Sequence, residues 1–226
     1  MISDATLDLV REWLPELLVA AAQTLEMTAL AYALSVVAGL FVALGEMSRR
    51  RWLARCCRVY IEFVRGTPTL TQLFLIYFGL PAFGIVLPSF GAAVVALGLH
   101  YAASMSEIYR GGIAAVDLGQ AEAASAVGMT RAEALRHIVL PQALRVILPP
   151  MGNSLVSLLK DTSVASLIAA PELMMRADDL TSEYYMPMQI YLVTGVMYFI
   201  MAFPLSMAVR WLERSLIRSR LRQRRA

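Results

Sequence analysis

Between Arg65 and Glu107 the chain runs for 41 residues without an Asp, Glu, Lys or Arg. Residues 27–45 and 186–209 are uncharged as well. Such runs have no place in an ordinary soluble domain, where about 25% of residues are charged; here 16% are charged and 58% are hydrophobic. A helix needs roughly 20 apolar residues to cross the ~30 Å hydrocarbon layer. The 41-residue run is therefore two spans, divided by Gly79-Leu80-Pro81, Gly84 and Pro88. Residues 146–170 are apolar except for Lys160-Asp161 and add another. The expectation is an all-α polytopic membrane protein with about five transmembrane helices, at about 22–46, 66–80, 89–109, 146–170 and 187–210. No linker, low-complexity tract or short repeat divides the chain, so residues 1–226 read as one membrane domain.

The basic residues set the orientation. Arg49, Arg50, Arg51, Arg55, Arg58 and Arg65 follow the first span. Arg110, Arg131, Arg136 and Arg145 lie between the third and fourth. Arg210, Arg214, Arg218, Arg220, Arg222, Arg224 and Arg225 follow the fifth. Five spans place all of these on one side. The other side keeps Arg11 and Arg176 against Asp4, Asp8, Glu12, Glu16, Glu172, Asp178, Asp179 and Glu183. Positive charge stays in the cytoplasm, which puts the N-terminus outside and the C-terminus inside. The start has acids where a signal peptide has positive charge. Leu7, Val10, Trp13, Leu14 and Leu17 recur at helical spacing, which predicts a short interfacial helix with Trp13 at the headgroups. The basic tail reads as an anchor to anionic lipid. Cys56 and Cys57 are adjacent in a reducing compartment and read as small apolar residues at the interface.

Several chemistries are excluded. The one lysine, Lys160, is followed by Asp161, so a phosphate-binding loop ending in Lys-Ser or Lys-Thr cannot form. His100 and His137 lie on different segments, and no zinc-protease or nucleophile-elbow pattern is present. If ATP drives this protein, another chain binds it.

One polar segment stands between the apolar runs. Gln120 to Val127 is rich in Ala and Glu, both good helix formers. Gly128 follows where a C-capping glycine is expected. Thr130 and Glu133 form a capping box for a second helix, which turns Ala134, Leu135 and Ile138 inward and ends at Pro141. Small Ala123 and Ala124 allow close approach of a partner, and Glu122 can accept a donor from it. On the residues alone, a docking socket and an ordinary helical hairpin are equally good readings of 117–141.

The spacing of this segment resembles the Glu-Ala-Ala loop of ATP-binding-cassette importer permeases. Three residues separate Ala123-Ala124 from Gly128, and nine separate Gly128 from Ile138. Two further segments, Glu62 to Phe74 with Arg65-Gly66-Thr67-Pro68 and Asn153 to Ser163 with Leu159-Lys160-Asp161-Thr162-Ser163, are similar to the polar amino acid branch, the histidine and glutamine type. Glu107 to Ile113 is a weaker match. Thr69-Leu70-Thr71 departs from relatives, which often carry apolar residues there.

The resemblance implies a permease subunit with no catalytic residues and no cofactor of its own, ATP-Mg being held by a partner ATPase. It implies docking of a cytoplasmic ATPase dimer on Glu122, Ala123, Ala124 and Gly128. It also implies a second permease subunit, an extracytoplasmic binding protein, a bacterial inner-membrane location and alternating access. A substrate site for a polar amino acid or similar zwitterion would use Asp161 for the ammonium, with Thr162, Gln72 and Thr71 donating hydrogen bonds and Ser104 and His100 nearby. Neighbours on a helix point about 100° apart, so Lys160 and Asp161 serve different partners. The pair is equally readable as a structural link between spans. An ion-coupled secondary transporter using Lys160 and Asp161 is the alternative, and a membrane scaffold is another.

Overall fold

The computed structural model describes residues 4–223, with side chains described for 12–120 and 122–216. The side chains of Leu7 and Val10, and those of the tail from Arg218 to Arg225, lie outside the described residues. The elements are α1 (Asp4–Glu46), α2 (Arg51–Gly66), α3 (Thr69–Phe74), α4 (Ser89–Ala114), α5 (Leu118–Ala126), α6 (Arg131–Ala134), α7 (Leu140–Asp161), α8 (Leu173–Tyr184) and α9 (Pro187–Gln223). A π-helical turn at Leu75–Gly79 and a 3₁₀ turn at Leu80–Phe83 extend α3. A second π turn, Leu135–Val139, joins α6 to α7, and a 3₁₀ helix, Thr162–Ile168, follows α7.

Three helices among the described residues are long and apolar enough to cross a membrane: Glu12–Glu46, Ser89–Ala114 and Pro187–Leu216. They contain the first, third and fifth expected spans. The second and fourth expected spans are not continuous α-helices. Apolar Thr69–Phe83 is short, roughly 22 Å at 1.5 Å per residue, and is preceded by a break at Thr67-Pro68. The fourth changes from α to 3₁₀ at Asp161-Thr162.

α1 and α4 run in the same direction, side by side. Leu34 packs on Gly98, and Gly39 faces Ala102 and Met105. The Tyr109 hydroxyl donates to the Val36 carbonyl at 3.1 Å. Small residues let the backbones close up, which is how helices gain packing when lipid is as apolar as leucine. α7 runs the opposite way along α4, with Ile147 against Gly112, Asp161 at Tyr101, and Ala169 accepting from Ser89. Met27, Leu73, Leu97, Tyr101, Leu158 and Ala165 form the central core.

Two expectations need correcting, and one acid has an unforeseen place. The N-terminal segment is no separate interfacial helix: it continues into α1, and Trp13 is 1% exposed, edge-on to Tyr184 at 5.3 Å. The cause is α8, which folds back and covers the Trp13, Leu17 and Ala20 face. Glu172, one of the outer-side acids, is not in solvent. It is buried as the N-cap of α8, accepting from the amides of Met174 and Met175 at 2.8 and 2.6 Å and from the Tyr198 hydroxyl at 2.7 Å. Burial pushes its carboxyl above the ordinary range, and those three bonds pull against that shift. The second correction is to the helix opened by Thr130. It does not stop at Pro141 but runs through the π turn into α7, and the widened turn just ahead of Pro141 accommodates the amide bond that the proline cannot make. Leu135 accordingly faces outward at 49% exposure.

A side chain at Gly39 would place its Cβ 2.5 Å from the Met105 Cβ and 2.9 Å from the Ala102 carbonyl oxygen. Gly39→Leu is therefore expected to part α1 from α4 and destabilise the fold by about 1–3 kcal/mol, the usual range for overpacking. Thermal unfolding of the detergent-solubilised protein measures this, and an unchanged midpoint refutes the close packing.

Candidate functional site

Two helix breaks meet on one turn of α4. The first follows from the local sequence. Pro68 holds Thr67 in the extended region, and Thr67 takes φ −122°, ψ 145°. α2 ends there with carbonyls that no following amide can reach. The side chain of Gln72 fills the gap. Its Nε2 lies 2.8 Å from the Val64 carbonyl, 3.1 Å from the Thr67 carbonyl and 2.8 Å from Thr67 Oγ1. Two hydrogens are thus shared among three acceptors. This fixes the amide orientation and turns Oε1 toward His100 Nδ1 at 3.1 Å. An amide oxygen only accepts, so Nδ1 carries the ring proton. Nε2 then accepts from the Thr69 hydroxyl at 3.3 Å.

The second break is built from α7. Asp161 is its last residue, half-buried, and Oδ2 accepts from the Tyr101 hydroxyl at 2.7 Å. Thr162 is fully buried and donates to the Leu159 carbonyl at 2.8 Å, closing the first 3₁₀ turn. His100 and Tyr101 are adjacent on α4, their rings edge to face at 5.4 Å. One pair of neighbours therefore holds both breaks, His100 the first and Tyr101 the second.

The expected substrate residues divide accordingly. Gln72, His100, Thr162 and Asp161 are brought to this turn, but Gln72 and Thr162 have their donors engaged by the chain's own backbone. Thr71 is exposed beside a shallow apolar hollow of about 360 Å³ lined by Phe74, Leu75 and Phe78. Ser104 is half-buried one turn along α4. Tyr101 is the residue that sequence reasoning left without a role. A tyrosine in an apolar helix gives no sign of its partner until α7 is laid against it. Lys160 leaves α7 about 100° around the axis from Asp161 and is exposed. With Asn153 and Ser157 it forms an exposed polar stripe at i, i+4 and i+7 on α7.

The second candidate site is the loop between α4 and α7. Asp117 caps α5, accepting from the Gly119 amide at 2.8 Å. At the other end the Met129 amide bonds the Ala124 carbonyl at 3.1 Å and the Gly128 amide bonds the Ser125 carbonyl at 3.1 Å, the two bonds of a Schellman turn. Gly128 takes φ +85° to make it. Ala124 is buried inward, while Glu122 and Ala123 face out. Leu118 and Val127 stand 80% and 77% exposed beside them. A hollow of about 640 Å³ lies between this helix and the next, lined by Leu118, Glu122, Ser125, Arg131 and Leu135. Thr130 and Glu133 form the reciprocal capping box expected of them. Gln142 on α7 donates to Gln120 on α5 at 3.3 Å.

Residues 35–218 match the family described as binding-protein-dependent transport system inner membrane component. The chain belongs to that family. It is a multi-pass inner-membrane permease component of an ABC transporter, with no catalytic role of its own, and ATP hydrolysis falls to a separate subunit. A substrate-binding protein and a second permease are the partners the family implies. The ion-coupled alternative receives no support. The chain is 40% identical over 200 residues to the probable amino-acid ABC transporter permease protein y4tG of Sinorhizobium fredii, covering 87% of this chain and 85% of that one. It is 37% identical to the probable glutamine ABC transporter permease protein GlnM of Bacillus subtilis, covering 87% and 91%. A crystal structure of an amino acid ABC transporter with histidines superposes with a TM-score of 0.87 at 40% identity, covering 92% of this chain and 97% of that one. An inward-facing MetNI methionine ABC transporter shares the fold, with a TM-score of 0.71 at 21% identity, covering 88% and 96%.

The capping box makes this loop sensitive to acid. The backbone and hydroxyl bonds from Thr130 hold the Glu133 carboxyl below its ordinary value of 4.5. A carboxyl depressed in the folded state stabilises it above the unfolded value, and that contribution is lost as pH falls through the folded value. Below about pH 4.5, hydrogen exchange at the amides of the second loop helix is expected to accelerate in the native chain. Thr130→Ala is expected to speed that exchange at neutral pH and flatten its acid dependence; equal profiles for the two proteins refute the assignment.

Proposed function

We propose that this permease imports a polar amino acid or a similar zwitterion, and that the turn of α4 carrying His100 and Tyr101 marks the level of its path. The observation that carries the reading is the convergence of two interrupted helices on that turn. Interrupted helices expose polar backbone, which membrane proteins tolerate only where protein or a polar cavity covers it. Relatives named for amino acid, glutamine, L-cystine and nopaline transport support the substrate class.

In this reading Asp161 takes the ammonium group on the oxygen that Tyr101 leaves open. Lys160 and the Asn153–Ser157 stripe face the path and the second permease subunit, and Thr71 borders the same route. Gln72 and Thr162 shape the site from behind. The 117–141 loop faces the cytoplasm, as the arginine distribution requires. α5 seats in the ATPase, with Glu122 and Ala123 against it and Leu118 and Val127 filling apolar pockets. The opposite end, with Glu12, Glu16 and Asp179, receives the binding protein.

Two substitutions test the two halves separately. Asp161→Asn is expected to leave membrane expression unchanged and cut uptake roughly tenfold to a hundredfold, as loss of a charge-assisted bond of about 1.5–3 kcal/mol requires. Unchanged uptake kinetics refute the ammonium site. Gly128→Leu forces a side chain into a left-handed conformation at a cost of about 1–2 kcal/mol. It is expected to leave insertion intact, release the co-purifying ATPase and abolish substrate-stimulated hydrolysis; normal hydrolysis removes the docking role.

A further inference from the structure

We propose that the groove along α2 is a binding site for an anionic phospholipid headgroup. At 100° per residue, α2 divides into three faces. Ala54, Ile61 and Val64 are buried against α1 and α4. Trp52, Cys56, Val59 and Phe63 fall within about 60° of arc and are exposed, with Trp52, Val59 and Phe63 at 63%, 64% and 54%. Arg51, Arg55, Arg58 and Glu62 fall within another arc of about 60° and are exposed too. The apolar and basic faces are adjacent, and Arg51, Arg55, Arg58, Val59 and Phe63 line an open groove of about 820 Å³ together with Glu46 and Ser48 at the end of α1.

The helix sits at one end of the molecule. Cys57 packs on Gly45, and Glu46 pairs with Arg110 at 3.5 Å, tying the ends of α1 and α4 together beside it. The 117–141 loop leaves α4 at that same end. Tyr60 and Arg65, little more than a turn apart on α2, reach Leu99 and Glu107, two turns apart and in the opposite order to an antiparallel pair. α2 therefore crosses α4 obliquely instead of running along it, which is the pose of an interfacial helix.

The partner's chemistry follows from the faces. Arg51, Arg55 and Arg58 have no ion pair or hydrogen bond among the described residues. Guanidinium groups match phosphate oxygens in paired geometry. Arg49 and Arg50 just upstream add to a field of five arginines against Glu46 and Glu62, and Glu46 is already engaged by Arg110. A free phosphate would use the arginines alone. A phospholipid uses both faces: its phosphate on Arg51, Arg55 and Arg58, its acyl chains along Val59 and Phe63, with Trp52 at headgroup depth. The placement on the inner leaflet rests on the cytoplasmic orientation proposed above.

The test is native mass spectrometry of the full-length chain in mild detergent with equal amounts of phosphatidylglycerol and phosphatidylethanolamine of the same acyl chains. The native chain is expected to retain phosphatidylglycerol about fivefold or more over phosphatidylethanolamine. An R51Q/R55Q/R58Q variant is expected to lose that preference, and R214Q, on the other basic segment, to keep it. Inorganic phosphate in excess is expected not to displace the lipid. No preference in the native chain, or preference retained by the triple variant, overturns the proposal. So does displacement by phosphate, and so does a triple variant that releases the ATPase while keeping its lipid preference, since the groove is then a protein contact. Should the triple variant fail to insert, R55Q alone carries the test. Orientation is read separately. Ser48→Cys in a Cys56→Ala, Cys57→Ala background is expected to react with an impermeant thiol reagent only in inverted vesicles. Reaction in intact cells breaks the orientation without touching the lipid preference measured in detergent.

Discussion

A helix broken inside a membrane leaves carbonyls that no water can reach, and the fold depends on how this chain answers that. At Thr67-Pro68 the answer is the Gln72 side chain, which supplies the donors that the next helical turn would have supplied. An unpaired buried amide or carbonyl costs about 1–3 kcal/mol in protein mutational data, so a break with several loose carbonyls does not persist without such a clasp. Gln72 in turn needs His100 to occupy its own oxygen. The angle between α2 and the apolar segment that follows it is therefore set by two side chains as much as by Pro68. Replacing either with an apolar residue leaves the break but removes what fixes its angle.

The fourth segment is organised differently, and the difference suits transmission of movement. From Arg131 to Asp161 the backbone is helical throughout, as α6, a π turn and α7. At 1.5 Å per residue this is a rod of roughly 46 Å. Its inner end is capped by Thr130 beside the docking helix, and Gln120–Gln142 ties that helix to the rod's side. Its outer end is Asp161. A displacement of the loop by a closing ATPase thus reaches the proposed ammonium site through one helical element, with Pro149-Pro150 inside α7 as the place where it can bend. The break lies beyond Asp161, so the rod carries the carboxylate with it and the 3₁₀ helix absorbs the change.

Much of this was legible in the sequence because the signals were local. Charge-free runs marked the apolar helices, Gly128 marked the left-handed turn, and Thr130 with Glu133 marked the cap. What escaped depended on contacts distant in sequence. Trp13 has the profile of a headgroup residue, and only α8, more than 150 residues later, buries it. Glu172 looked like one of several outer acids because nothing nearby announces Tyr198. Gln72 looked like a substrate ligand for the same reason that it is a good clasp: a buried amide in an apolar helix must bond something, and sequence does not say whether that is cargo or backbone. The continuation of the second loop helix past Pro141 was hidden by reading proline as a stop, when a π turn ahead of it lets the helix run on.

Lys160 shows why this chain is not a complete path. A charge near mid-membrane costs about 2.5–3.5 kcal/mol on insertion scales, and Lys160 has no internal partner among the described residues to offset it. Asn153 and Ser157 extend the same exposed face. A stripe of that polarity, about two turns long, is incompatible with lipid on that side of α7. That face of α7 must therefore meet water or another protein surface. In the proposed importer both conditions are met at once. The second permease subunit covers the edges of the stripe, and the path between the two subunits wets its centre.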